Sequence, residues 1–221
     1  RQNEVLQLNK TSLSTAQRIA KLGSWDWRSD KDKFYWSDQL YKILGLEQTQ
    51  EKPNLEIFLK AFHPEDRDLV GGTFEKIKES QRPFVVVARV QHSDQSIRHV
   101  KIRGEVIENE DRGNNISGTV LDITERVDAE RELQKLFQAF ENSPISIVTT
   151  DLSGIIEYVN PCFTQTTGYL SDEVIGMKAS ILSTGYTSQE EYKEMWETLE
   201  AGKVWRGEFR NQHKDGSLYW A

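Results

Sequence analysis

Gln91-His92-Ser93-Asp94-Gln95-Ser96 returns as Gln212-His213-Lys214-Asp215-Gly216-Ser217, and this near-repeat at an offset of 121 residues decides how the chain is organised. A second pair of landmarks agrees with it. Tyr35 with Leu44-Gly45-Leu46 lines up with Tyr158 and Thr167-Gly168-Tyr169 at an offset of 123. Offsets differing by two residues mean one small deletion between the landmarks. A period this long is a tandem of domains, because solenoid repeats run to only about 20–45 residues. The 221 residues suit two short domains of about 100 residues each.

Each copy reads in the same order. In the first, Trp25-Asp26-Trp27, the polar turn Ser29-Asp30-Lys31-Asp32 and Phe34-Tyr35-Trp36 predict an aromatic-rich hairpin. Ser37-Asp38 caps a short helix through Leu40, Ile43 and Leu44 that Gly45 closes. A looser stretch carries Pro53, Leu55, Phe58 and Phe62 up to the turn His63-Pro64-Glu65-Asp66-Arg67, after which a helix is expected from Leu69 to Ser80. Three strand patterns follow, from Phe84 to Gln91, Ile97 to Ile107 and Ile116 to Ile123, separated by Asp94-Gln95 and Arg112-Gly113-Asn114-Asn115. Five strands with helices inserted between the second and third make a small α+β unit. The second copy repeats the order: strands from Ile145 to Thr150 and Ile155 to Val159 around the turn Asp151-Leu152-Ser153-Gly154, helices from Pro161 to Thr167 and Ser188 to Ala201, and a strand from Val204 to Gln212. Ala221 is the counterpart of Val100, so this copy is expected to lack most of its fourth strand and all of its fifth.

Composition narrows the function classes. Apolar residues form 37% and charged ones 29% of the chain, with 6 Trp, 7 Tyr and 9 Phe, which is enough bulk for packed cores. The net charge of −7 is spread without a basic block, arguing against nucleic acid and against direct contact with an anionic membrane. One cysteine forms no internal disulfide, and histidines at 63, 92, 99 and 213 have no ligand spacing, so neither a disulfide scaffold nor a zinc site is expected and the compartment reads as cytoplasmic. No apolar run approaches the ~18 residues that span a bilayer, and no signal peptide is evident. Because it opens on Arg1 rather than Met, the chain reads as a piece of something longer. Glu190-Glu191 and Asp66-Arg67-Asp68 read as solvated helix faces, and neither a nucleophilic triad nor a glycine-rich phosphate loop is present, so no catalytic residues are expected.

Two connectors complete the map. Residues 1–22 place Val5, Leu8, Leu13, Ala16, Ile19 and Leu22 on a broken helical stripe; 125–141 carry Val127, Leu133, Leu136, Phe137 and Phe140. Either stripe folds back on its own domain or forms a parallel seam in a homodimer. The expected organisation is a signalling and dimerisation helix at 1–22, a first domain at 23–124, a connecting helix at 125–141 and a second, incomplete domain at 142–221.

These motifs resemble the PAS sensory domains. Asp122-Ile123-Thr124-Glu125-Arg126 is similar to the family's exit motif, where the last strand hands over to a signalling helix. His63-Pro64-Glu65-Asp66-Arg67 is similar to a turn of one PAS subclass, and Asn160-Pro161-Cys162-Phe163 with Thr167-Gly168-Tyr169 supports the second copy. The resemblance covers residues 14–221 and implies, in each copy, a five-stranded antiparallel sheet with helices on one face around a small-ligand pocket. It also implies a downstream output domain in the parent chain, a histidine kinase or a cyclic-nucleotide cyclase or phosphodiesterase.

The second copy further resembles the flavin-binding PAS domains of redox sensors, through Ile181-Leu182-Ser183-Thr184-Gly185, Met195-Trp196, Val204-Trp205-Arg206-Gly207 and Asn211. That resemblance implies FAD in the second copy, Trp196 against the isoalloxazine, Asn211 on its polar edge, and Trp205 nearby. An aromatic wall supplies burial and stacking, and an amide both donates and accepts. Ala179 stands where those flavoproteins carry a glutamate. Each residue also has a plain reading: Trp196 as helix core, Trp205 as strand-edge packing, Asn211 as a satisfied strand amide. Gly176-Met177-Lys178-Ala179 lacks the cysteine of light-sensing flavin domains, Ser188 to Ala201 lacks a haem-ligating histidine, Cys162 reads as a packing residue and His63 as turn chemistry. The first copy, with Trp25, Trp27, Phe34 and Trp36 for its interior, is expected to hold no cofactor. Two functions stay open: a redox or small-ligand sensor that relays its state through helices, and a cofactor-free module for dimerisation and relay.

Overall fold

The computed structural model describes residues 2–28, 33–48, 52–107 and 115–221. The elements run α1 (Gln2–Ile19), β1 (Leu22–Arg28), β2 (Lys33–Trp36), α2 (Asp38–Leu44), α3 (Leu55–Lys60), α4 (Arg67–Ser80), β3 (Phe84–Gln91), β4 (Ile97–Ile107), β5 (Asn115–Asp122), α5 (Thr124–Glu141), β6 (Val148–Thr150), β7 (Ile156–Val159), α6 (Pro161–Thr167), α7 (Ser171–Val174), α8 (Gln189–Glu200), β8 (Arg210–Gln212) and β9 (Leu218–Trp220). The chain divides into two compact units, Arg1–Glu130 and Arg131–Ala221. The turns expected at 29–32 and 112–114 lie outside the described residues.

In the first unit one antiparallel sheet has the order β2-β1-β5-β4-β3. The aromatic hairpin forms as expected, with Trp25 opposite Trp36 and Trp27 opposite Phe34. Alternation sends Trp25, Trp27 and Phe34 inward and leaves Tyr35 outside. Ser37 caps α2, its Oγ accepting from the backbone N–H groups of Leu40 and Ser24 at 3.3 and 2.9 Å, and Gly45 ends it in the left-handed region at φ 67°. The helix α3 was not expected. Its six residues are too few to show a helical period, and Asn54 Oδ1, which caps the Ile57 N–H at 2.8 Å, is the local signal for it. Between α3 and α4, Arg89 of β3 clamps the acidic turn: its guanidinium and backbone N–H donate to Asp66 at 2.7–3.0 Å, and it reaches Glu65 at 2.8 Å.

The helices cover one face of this sheet, and the interior is filled by rings. Trp25 packs on Phe74 with centroids 5.0 Å apart, Trp27 on Phe34 at 5.1 Å, and Phe58 on Phe62 and Phe74 at 5.1 and 5.4 Å. The Trp25 indole has room because Gly104 and Gly118 face each other across β4 and β5. A Cβ on Gly118 would stand 2.0 Å from the Arg103 carbonyl oxygen and 2.4 Å from the indole.

At the exit of the sheet, Asp122 Oδ1 accepts from the Thr124 N–H and hydroxyl at 2.9 and 2.5 Å, and Thr124 Oγ1 accepts from the His99 N–H at 3.0 Å. That is why aspartate and threonine sit two apart where strand turns into α5. The stripe side chains Val5, Leu8, Leu13 and Ile19 of α1 and Leu133, Leu136, Phe137 and Phe140 of α5 are all exposed, and Leu22 belongs to β1 rather than to the helix.

The second unit has two short antiparallel ladders, β6 with β7 and β8 with β9, and a smaller core of Ile156, Val159, Phe163 and Val174. Asn160 is buried with its amide fully used: Oδ1 accepts from Phe163 and Ile147 N–H groups at 3.0 and 2.9 Å, while Nδ2 donates to the Phe140 and Ile145 carbonyls at 3.1 and 2.9 Å. The strand expected from Val204 to Gln212 covers only Arg210–Gln212. In the first unit Phe84–Val87 pair with Lys101–Gly104, and the equivalents of those partners fall after Ala221. Phe209 and Ala221, equivalent to the pair Ala88 and Val100, still exchange both backbone hydrogen bonds at 2.9 Å. Among the described residues no helix is long and apolar enough to cross a membrane, and no group of three or more acidic, histidine or cysteine side chains is placed to hold a metal.

Candidate functional site

The site is a cleft of about 620 Å³ in the second unit, within the size range of small-ligand pockets. Its helical wall is α8. Ser188 and Glu191 form a reciprocal cap at its start, Ser188 Oγ accepting from the Glu191 N–H at 3.2 Å and Glu191 Oε2 from the Ser188 N–H at 2.9 Å. From there the helical repeat puts Tyr192, Met195 and Trp196 toward the cleft. Unlike α4, with Val70, Phe74 and Ile77 fully buried, α8 buries no residue, and Trp196 remains 36% exposed.

The floor comes from the β6–β7 hairpin. Asp151 Oδ1 accepts from the Ser153 and Ile155 N–H groups, both at 2.8 Å, which tightens the turn, and Gly154 takes φ 76° there. The edge of the Trp196 ring lies 3.4 Å from where a Gly154 Cβ would stand, so the indole packs over this turn. Ala179 lines the cleft as well.

The far wall is β8. Asn211 lines the cleft, and its strand is held to the preceding loop by a backbone bridge to Ser183 and by the Thr184 hydroxyl, which donates to the Arg210 carbonyl at 2.6 Å. Phe209 stacks on Tyr192 with centroids 5.4 Å apart, and the Tyr192 hydroxyl donates to Ser183 Oγ at 3.0 Å. Burial pushes the Tyr219 phenol up from its ordinary value.

Of the residues singled out by sequence, Trp196 and Asn211 meet in this cleft and Trp205 does not line it. Trp205 stacks on Phe209 at 4.9 Å and lies over Gly207, backing the wall from behind. Tyr192 and Phe209 were missed, although Tyr192, Met195 and Trp196 share the i, i+3, i+4 spacing of one helix face. Cys162 lies elsewhere, its Sγ donating to the Pro144 carbonyl at 3.2 Å. His63 caps the acidic turn of the first unit, Nδ1 accepting from the Glu65 N–H at 3.4 Å.

The residues present suit a flat heterocycle. Trp196, Tyr192 and Phe209 offer ring surface, and Asn211 offers the one side-chain amide among the lining residues. The carboxylate implied by the flavoprotein resemblance is absent at Ala179.

Comparison with known proteins places both units. A family model described as PAS domain matches residues 144–221, and one described as PAS fold matches residues 33–120. Over 83 residues, 38% of this chain and 17% of the relative, the sequence is 37% identical to a nitrogen fixation regulatory protein of Klebsiella pneumoniae. It is 22% identical over 182 residues to the probable diguanylate cyclase DgcE of Escherichia coli, covering 80% of this chain and 16% of that protein. With the sensor protein FixL of Bradyrhizobium diazoefficiens it shares 26% identity over 166 residues, 73% of this chain and 33% of the relative. The chain thus spans a third or less of the length of these relatives. With one family match on each unit, in the order read from the repeat, the chain belongs to the PAS-domain family and carries two such domains in tandem.

Proposed function

We propose that this chain is the sensory module of a signalling protein and that its second PAS domain senses through a flat aromatic cofactor, FAD, seated between α8 and β8. The observation that carries this reading is the convergence of Trp196 and Asn211 on one cleft of about 620 Å³. When bound, flavin would supply a redox change that alters the hydrogen bonds offered to Asn211. Trp196 would cover a ring face, and Asn211 would donate to or accept from its polar edge. Differential bonding at β8 in the two redox states gives the free-energy difference that a switch requires. Relatives named as a nitrogen fixation regulator, a sensor and a diguanylate cyclase support a parent chain that ends in an output domain, a histidine kinase or a cyclase. The exposed stripes of α1 and α5 support a homodimer that passes the signal along these helices, in a reducing cytoplasm where Cys162 stays a thiol.

The test is the absorption spectrum of the purified chain, before and after incubation with FAD. Protein-bound flavin bands that bleach on reduction are expected. A spectrum without them, unchanged after incubation, would refute the flavin reading and favour the cofactor-free dimerisation and relay module that the exposed stripes also suit.

A further inference from the structure

We infer that the free edge of β3 between Phe84 and Ala88 is an interaction surface for a second molecule of this chain, whose own β3 pairs with it antiparallel about Val86. β3 is an outermost strand of its sheet, and its register with β4 runs unbroken from Phe84 to Gln91. In such a ladder each residue turns both backbone groups toward its neighbour or both away from it. Arg89 turns away from β4: its carbonyl accepts from the His63 N–H at 2.8 Å, and its N–H donates to Asp66 at 2.7 Å. By alternation Val85 and Val87 turn away as well, and among the described residues their N–H and carbonyl groups have no partner. Both ends of this open stretch are closed. Pro83 has no N–H to offer, and beyond Ala88 the edge is taken by the Phe62–Val90 bridge and by the Gln91 N–H, which donates to the Ala61 carbonyl at 3.0 Å.

The side chains leave this edge unguarded. Exposed edges are ordinarily blunted by charge, proline or shortness, and the other edge strand, β2, is four residues long and starts on Lys33. Val85 and Val87 are instead valines, 54% and 51% exposed, while Val86 and Ala88 between and beyond them are buried. At the same places in the second repeat, 121 residues on, stand Arg206 and Glu208. Turned end for end about Val86, one β3 sets Val85 opposite Val87 of the facing molecule, each such pair exchanging two backbone hydrogen bonds. The valines of both molecules then join in one apolar strip on the sheet face opposite the helices. Charge agrees with this direction. Arg82, in no ion pair among the described residues, precedes the strand, while at its far end Glu65 and Asp66 share the single Arg89 guanidinium. Antiparallel pairing brings Arg82 of each molecule to the acidic turn of the other. So short an edge buries far less than the about 1,200 Å² of a stable interface, so the pairing is weak and depends on concentration.

The experiment is mild oxidation of the full 221-residue chain at high micromolar concentration, in a Cys162→Ser background, for Val85→Cys alone, Val87→Cys alone and an equal mixture of the two. Opposed Cα atoms of a hydrogen-bonded antiparallel pair lie about 5.5 Å apart, within disulfide reach, whereas diagonal neighbours lie about 7–8 Å apart. The mixture is therefore expected to form disulfide-linked dimers at least about fivefold faster than either variant alone. Hydrogen exchange supplies a second readout that needs no cysteine. Protection of the Val85 and Val87 amides is expected to rise with concentration in the wild type and to stay flat in Val87→Lys, which keeps the fold and puts a charge on the edge. Disulfides formed as readily by a single variant as by the mixture, or amide protection independent of concentration, would overturn the inference. A dimer in sedimentation that gives neither signal would overturn it in favour of the helix stripes as the seam.

Discussion

At Gly118 a single hydrogen atom in place of a side chain leaves room for the Trp25 indole against β5. A Cβ on its partner across the ladder, Gly104, would stand 2.5 Å from the Phe84 ring and 3.0 Å from the indole. Replacing Gly118 by alanine puts a methyl group onto backbone as well as ring, and overpacking of this kind costs about 1–3 kcal/mol. Thermal unfolding of Gly118→Ala should show a lowered midpoint in the first unit. Two glycines inside strand patterns are a signal of close backbone approach that the sequence displays, although their partner Trp25 becomes evident only once β1 lies beside β5. Asp66 makes a second argument at this scale. Arg89 beside it, more weakly aided by His63, holds its carboxyl below the ordinary aspartate value, while Glu65 shares the same guanidinium. A carboxyl with a depressed folded pKa contributes its full stability above the unfolded value of ~3.9 and loses it as pH falls through the folded value. Stability of the wild type should therefore drop through that acid window more steeply than that of Asp66→Asn, with the variant less stable at neutral pH. Equal pH profiles for the two proteins would contradict the clamp.

The two long helices of the PAS domains, α4 and α8, occupy the same place in the repeat and are buried to different extents in this chain. Phe74 of α4 touches Trp25, Trp27, Phe58 and Phe84, and its removal leaves a cavity in a filled interior. Phe74→Ala should cost about 3–5 kcal/mol, a large share of the stability of a domain this size. Trp196 of α8 contributes to a wall and not to a core, so Trp196→Ala should change stability by less than about 1 kcal/mol. Denaturant titration of the two variants checks the contrast, and similar losses in both would mean that α8 packs as a core helix. Both helices were legible from their periodicity, with ends shifted by two residues at most. The short α3, which lacks a full helical period, was not; the strand expected at 204–209 fails where the repeat alignment leaves it without ladder partners.

For the whole molecule, the offset of 121 residues was enough to divide the chain, order its elements and lead to two PAS domains, because a repeated unit carries its own alignment. Two properties of the second domain stayed hidden in the sequence. Phe209 meets Tyr192 only because the segment leading into β8 folds beside α8, and Trp205, quoted beside Trp196 and Asn211, stacks on Phe209 and does not line the cleft. The functional reading rests on what the second domain brings together, Trp196, Tyr192 and Asn211 lining one cleft. The most direct measurement is the stoichiometry of FAD binding to the purified chain, for the wild type and Trp196→Ala. The account predicts one flavin per chain, lost in the variant while its circular dichroism stays that of the wild type. Two flavins per chain, or one that survives the loss of Trp196, would contradict it.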